Sequence, residues 1–290
     1  MADDLLSPSP SGRPGLDVLR AVSRSFYLSI RLLPPALREP VGLAYLLARA
    51  TDTIADTGSL PAADRLARLT LLADAIAGST PARAALPALA QSFAPLQADR
   101  GEQRLILALP QCLAWLDTVG EADRADIREV LRLITRGQSL DVERFGAGTG
   151  VRALASAAEL EEYTYLVAGC VGEFWTSVCA RHLPGFACET PATMREWGRA
   201  YGMGLQLVNI LRDTGEDLAA GRCYLPADEL AAAGVSPADA LAHPANLHAV
   251  RARWLARAEG FLADGVRYAR AVESRRIRAA TVLPALIGAR

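Results

Sequence analysis

Apolar residues recur at three- and four-residue spacing along almost the whole chain, over residues 16–32, 36–56, 61–77, 102–117, 122–144, 156–182, 191–218 and 245–273. That period places them on one face of a helix, and no alternating run of β-branched residues competes with it. Ala, Leu and Arg, all good helix formers, dominate these stretches. Pro and Gly gather between them, at Pro34–Pro35, Gly58 to Pro61, Pro81 to Pro95, Gly146 to Gly150, Pro184–Gly185 and Gly234 with Pro237, as expected of helix ends. No composition shift, long linker or internal repeat divides the chain. The reading is one all-α domain over 16–290, a helical bundle, preceded by a short flexible leader at 1–15.

Composition excludes several classes. With 51% hydrophobic residues and a net charge of -1, the 290-residue chain is neither disordered nor a general nucleic-acid binder. The leader MADDLLSPSPSGRPG is acidic and rich in Pro and Ser where a secretory signal is basic and then apolar, so a cytoplasmic protein is expected. Charged or polar residues interrupt every apolar run before it reaches the roughly 18 residues of a spanning helix, which leaves only peripheral membrane contact open. The five Cys (112, 170, 179, 188, 223) form no CxxC pair, and the three His (182, 243, 248) do not join them at ligand spacing. Neither a disulfide framework nor a zinc site is expected. All 31 basic residues are Arg, most of them ordinary surface charge, though guanidinium groups also bind phosphate in a bidentate fashion.

Two stretches carry more than a core requires. In LARATDTIADT, Asp52 and Asp56 stand four apart, which puts two carboxylates on one helix face with Cβ atoms about 6 Å apart. In QLVNILRDTGED the arrangement returns as Asp213 and Asp217, with Asn209 one further turn back. Both adjoin apolar runs, Leu43 to Ala55 and Leu205 to Leu211, so each reads as an inward-facing acidic stripe. Burying paired carboxylates is costly unless a cation neutralises them. A single such pair is common on solvated helix faces. Two of them, with Arg49 and Arg212 beside them, point instead to Mg²⁺, which takes hard oxygen ligands and bridges to phosphates. The expected architecture is a bundle whose central cavity binds a diphosphate through Mg²⁺ and has apolar walls for a greasy tail.

VSRSF at 22–26, YLLARATDTIAD at 45–56, YTYLVAGCVGEF at 163–174 and GLQLVNILRDTGEDLAAGRCYLP at 204–226 resemble, in order, the motifs of the squalene/phytoene synthase family. The resemblance implies an all-α isoprenoid synthase fold and head-to-head (1'-1) condensation of two prenyl diphosphates. Asp52 and Asp56 take the place of the first acidic motif and Asp213 and Asp217 that of the second, holding Mg²⁺ together with Asn209. Gln206 lies on the same cavity-facing stripe as Asn209. Arg49, Arg212, Ser23, Arg24 and Ser25 are implied to contact diphosphate oxygens. Tyr163 takes the position of the family tyrosine tied to the first half-reaction, and Val167, Ala168 and Gly169 match a small-residue VAG segment beside the reacting carbons. The segment 275–290 resembles the start of the family's last helix.

The implied chemistry explains the parts. Diphosphate departure leaves an allylic cation, which the second chain attacks to give a cyclopropylcarbinyl diphosphate. Tyr163, or diphosphate itself, assists the proton loss of that step. A second ionisation comes next and ends in hydride transfer from NADPH or in proton loss, within walls that exclude water. The first motif has Thr51 before Asp52 and Ala55 where an acid is usual, one carboxylate fewer than the family pattern. The leading expectation is squalene synthesis from farnesyl diphosphate with NADPH. Phytoene, dehydrosqualene and presqualene diphosphate are the alternatives. A non-catalytic binding or assembly protein on the same fold is the alternative of another class, against which the retention of all four Asp, Arg49, Arg212 and Tyr163 speaks.

Overall fold

In a computed structural model, residues 16–23, 26–146, 150–242 and 244–288 are described. The proposed leader at 1–15 and the site candidates Arg24 and Ser25 lie outside them. The described residues are overwhelmingly helical and divide into two compact units, one up to residue 139 with the stretch from 275 onward and one over 140–274.

The first unit holds α1 (Leu16–Val22), α2 (Phe26–Leu32), α3 (Pro35–Asp56), α4 (Ala62–Ala77), α5 (Thr80–Phe93), α6 (Arg100–Leu107) and α7 (Leu109–Thr118). It also holds most of α8 (Glu121–Phe145), and α15 (Arg275–Gly288), which packs on α2. Helix α3 is its spine. Leu43, Leu47, Ala50 and Ile54 are fully buried there, four positions that share one helical face, and they pack with α4, α6 and α7.

The second unit holds β1 (Arg152–Leu154), α9 (Ala157–Thr164), a π-helical turn at Tyr165–Gly169, α10 (Cys170–His182) and α11 (Pro191–Ala219). β2 (Arg222–Pro226), α12 (Ala227–Ala232), α13 (Pro237–Ala242) and α14 (His248–Ala271) complete it. Its core gathers Leu207, Leu211, Tyr224, Leu225, Val250 and Trp254. A close approach joins α10 and the π turn before it to α11. Cβ atoms added at Gly172 and Gly202 would overlap the carbonyls of Gly198 and Ala168, so the two backbones touch where side chains would hold them apart.

Four stretches depart from the periodicity. Residues 80–93, read as a Pro-marked break, form α5, because Pro81 sits in the first turn, where no N–H is required, and Ser79 caps it through the Ala82 N–H. The stretch 102–117 is two helices that part at Ala108, with Pro110 opening the second. Residues 16–32 break after Val22. The stretch 156–182 is continuous in direction but passes through the π turn. The parallel pair β1 and β2 was not expected at all. Strands of three and five residues are too short to show an alternation.

Candidate functional site

In the first unit, α3 presents the first acidic motif. Asp52 and Asp56 lie one turn apart near its C-terminus, Asp52 with a side chain 41% accessible and Asp56 exposed. The expected wholly inward stripe is therefore a half-open one. Arg49, one turn earlier, forks its guanidinium between Asp52 and Glu102 of α6, the latter at 2.5 Å. Burial, and then the neighbouring Asp56 charge, push the Asp52 carboxyl up to about 6, against the opposing pull of Arg49. A carboxylate disfavoured in this way is a natural cation ligand. Ser23, buried, lies beside the phenol of Tyr45, which donates to the Val22 carbonyl at 3.3 Å and also feels Arg49 and Asp52. Ser23, Arg49, Asp52 and Asp56 are thus brought to one region. A pocket of about 340 Å³ opens beside it, lined among others by Arg49, Thr53, Asp56, Gln97 and Glu102.

In the second unit, α11 carries the second motif near its C-terminal end. Arg212 grips its neighbour Asp213 with two bonds of 2.6 and 2.7 Å, and this pairing holds the Asp213 carboxyl below the usual range. Asp217 is more enclosed, and burial raises its carboxyl despite two bonds from Arg222 at 2.8 and 3.1 Å. Gln206 and Asn209, half-buried, precede them on the same helix. After α11 the chain reverses at Gly221, whose φ of +82° is a left-handed conformation that suits glycine. It then enters β2, where Arg222 and Tyr224, two residues apart, lie within electrostatic reach of each other and of Asp141.

Tyr163, on α9, is half-buried and stacks on Tyr224 with centroids 5.0 Å apart. The VAG segment Val167–Gly169 falls within the π turn. Gly169 and Ala168 abut Met203 and Gly202 of α11, so this irregular turn is clamped to the helix bearing the second motif. π turns of this kind are frequent at functional sites.

Sequence reasoning missed Glu102, Tyr45, Asp141 and the roles of Arg222 and Tyr224. Arg222, Tyr224 and Tyr45 stood inside the quoted motifs, whereas Glu102 and Asp141 carried no signal of their own. Among the described residues, no group of three or more His, Cys, Asp or Glu side chains gathers closely enough to hold a metal ion alone. Two carboxylates per motif still fit Mg²⁺, which keeps several waters and takes its remaining ligands from substrate phosphates. No helix among the described residues is long and apolar enough to cross a membrane.

A family model described as squalene/phytoene synthase matches residues 19–290. The chain is similar to phytoene synthase 3, chloroplastic, of Zea mays, at 31% identity over 231 residues, covering 78% of this chain and 45% of that protein. It is also similar to 15-cis-phytoene synthase of Synechocystis sp., at 30% over 257 residues, covering 82% and 65%. The chain therefore spans about half to two thirds of the length of these curated relatives. Among solved structures, TcSQS in complex with the ligand BPH1237 superposes with a TM-score of 0.72 at 21% identity, covering 94% of this chain and 75% of that one. The squalene synthase HpnC from Alicyclobacillus acidocaldarius does so with a TM-score of 0.63 at 20%, covering 94% and 89%. Both carry the all-α fold expected from the periodicity.

Proposed function

Because this chain belongs to the squalene/phytoene synthase family, we propose that it is a prenyltransferase that joins two prenyl diphosphates head to head. The observation that carries the reading is the pairing of each acidic motif with arginine: Arg49 on Asp52, Arg212 on Asp213, Arg222 on Asp217. Guanidinium groups beside the carboxylates would suit the oxygens of a diphosphate held there. Asp52, Asp56, Asp213, Asp217 and Asn209 would hold Mg²⁺, which when bound supplies positive charge against the departing diphosphate. Arg49, Arg212 and Ser23 orient the diphosphate, with Arg24 and Ser25 as further contacts. Tyr163 moves or holds a proton at its hydroxyl, and the small side chains of Val167–Gly169 leave room for the prenyl chain.

Two products compete. The first reading is squalene from farnesyl diphosphate, with NADPH as the hydride source. The second is phytoene, and it is favoured by the names of the two curated relatives above. The test incubates the purified protein with farnesyl or geranylgeranyl diphosphate and Mg²⁺, with and without NADPH, and identifies the lipids formed. Squalene that depends on NADPH supports the first reading, and phytoene from geranylgeranyl diphosphate the second. Dehydrosqualene, or presqualene diphosphate persisting with NADPH, replaces both. No turnover in any arm replaces catalysis with a binding or assembly role.

A further inference from the structure

We propose that Glu102, which lies outside every motif, is a positioning residue that keeps Arg49 at the first-motif pocket when Asp52 lets go of it. The inference deepens the prenyltransferase reading and rests on it for the diphosphate that Arg49 would then meet. It starts from how Glu102 is placed. Asp99 caps α6 by accepting from the Gly101 and Glu102 N–H groups at 2.8 and 3.0 Å, which fixes the first turn of the helix. That turn is braced twice more. A Cβ at Gly101 would lie 3.0 Å from the Ala21 carbonyl oxygen, so the start of α6 packs closely on the backbone of α1. Gln97, 7% exposed, donates to Thr57, just past the end of α3, over 3.2 Å, and its own carbonyl accepts from Gln103 of α6 at 2.7 Å. A fixed backbone therefore presents the Glu102 carboxylate to α3.

The bonds of Arg49 divide its guanidinium in two. Nη1 donates to Asp52 and Nη2 to Glu102, while the buried Nε has no hydrogen-bond partner among the described residues. The two carboxylates have different duties. Asp52, three residues on in the same helix, belongs to the set proposed for Mg²⁺, and it cannot serve a metal ion and a guanidinium equally, because the two like charges repel. Glu102 comes from α6 and lies outside that set. With Asp52 engaged elsewhere, the ion pair left to Arg49 is the one to Glu102. It anchors Nη2 and frees Nη1, beside the pocket of about 340 Å³ that Arg49 and Glu102 both line. A guanidinium has five N–H donors, so it can keep a carboxylate on one edge and offer another to phosphate oxygens. The pocket lining makes this hold matter: Asp56, Asp99 and Glu102 are its acidic members and Arg49 is the one arginine among them. Without Glu102, Arg49 would depend on the same carboxylate that the metal ion needs.

Asp52→Asn imitates the engaged state, because it keeps the shape of the side chain and gives up the charge. In the full chain labelled with 15N-arginine, the Arg49 guanidinium is identified by its loss in Arg49→Gln. An ion-paired guanidinium turns slowly and gives separate Nη signals, whereas a free one averages them. Separate signals are expected in wild type and in Asp52→Asn, and averaged ones in Asp52→Asn combined with Glu102→Gln. The second readout is calorimetric titration with inorganic diphosphate in the presence of Mg²⁺. Glu102→Gln should weaken binding about fivefold, with the melting temperature within about 2 °C of wild type. In the Arg49→Gln background the same substitution should change affinity by less than about twofold, as expected of a residue that acts through Arg49. Averaged signals in Asp52→Asn alone, wild-type affinity in Glu102→Gln, or a loss that recurs undiminished with Arg49→Gln each overturns the proposal. The expected signals in a protein that binds no diphosphate overturn the prenyltransferase reading and leave the hold of Glu102 on Arg49 standing.

Discussion

The contact between the π turn and α11 gives a stringent test of how the second motif is held. In Gly202→Ala the new methyl would overlap the Ala168 carbonyl oxygen, with its carbon 2.8 Å away and the Gly169 Cα at 3.1 Å. Carbon atoms rest at about 3.5 to 4.0 Å, so α11 must retreat by about 1 Å from the π turn. The obstructing atoms are backbone and have no rotamer in which to escape. One methyl forced into a packed contact costs about 1–3 kcal/mol, and rigid neighbours argue for about 3. Replacing Gly by Ala in a helix returns about 1 kcal/mol, which leaves a net loss of about 2. Gly260→Ala is the control, since Gly260 lies exposed within α14 with no atom in reach of a Cβ. It keeps the propensity gain of about 1 kcal/mol, so the two variants should differ by about 3. Urea unfolding monitored by Trp fluorescence reads mainly the second unit, which holds Trp175, Trp197 and Trp254. For a slope of about 3 kcal/mol per molar, the midpoints should lie about 1 M apart, with wild type between them. If Gly202→Ala unfolds at or above the wild-type midpoint, the close approach does not hold α11 in place.

Asp52→Asn and Asp213→Asn are each expected to lower turnover at least about 100-fold with circular dichroism unchanged; near-wild-type rates in either would refute the metal assignment. Asp52 also has a pH signature, because its folded pKa of about 6 exceeds the ordinary 3.8, so the metal-free fold loses stability as pH rises from about 4 through about 6. That shift would be worth about 3 kcal/mol if fully buried, and solvent at this 41% accessible carboxylate screens it to about 1; thermal melts of Asp52→Asn should therefore match wild type near pH 4 and exceed it at pH 7. Glu102→Gln removes one of the two carboxylates that hold Arg49 and should raise KM several-fold, about 1 kcal/mol of binding, with little change in melting temperature. Of the five thiols only Cys188 is exposed, and burial pushes Cys112 and Cys179 up to about 12, so a thiol reagent should modify one cysteine quickly and the rest only on unfolding.

How much of the fold and the site was legible in the sequence depended on distance along the chain. Helix α3 and helix α11 were readable end to end because their burial repeats every turn, and the acidic pairs were readable because four residues is one turn. Glu102 was not, since its partner Arg49 is 53 residues away and nothing in RGEQ marks a carboxylate that will grip a guanidinium. Asp141 was hidden for the same reason, 83 residues from Tyr224. The π turn was invisible because Leu166 and Gly169, its buried positions, fit an ordinary helical period equally well. Pro81 misled because proline ends a helix from within and opens one from its first turn, and the two cases differ only in the residues on its C-terminal side. The misses at Glu102 and Asp141 share a cause. Each concerns a residue whose role is set by a partner from another element, so local pattern specifies the helices and their charged faces, while the contacts of Arg49 with Glu102 and of Tyr224 with Asp141 arise only when those elements pack. The residue that holds Arg49 is therefore to be sought at the packing partners of the motif and not within it, which is why Glu102→Gln probes the assembled site in a way that further substitution of the aspartates does not.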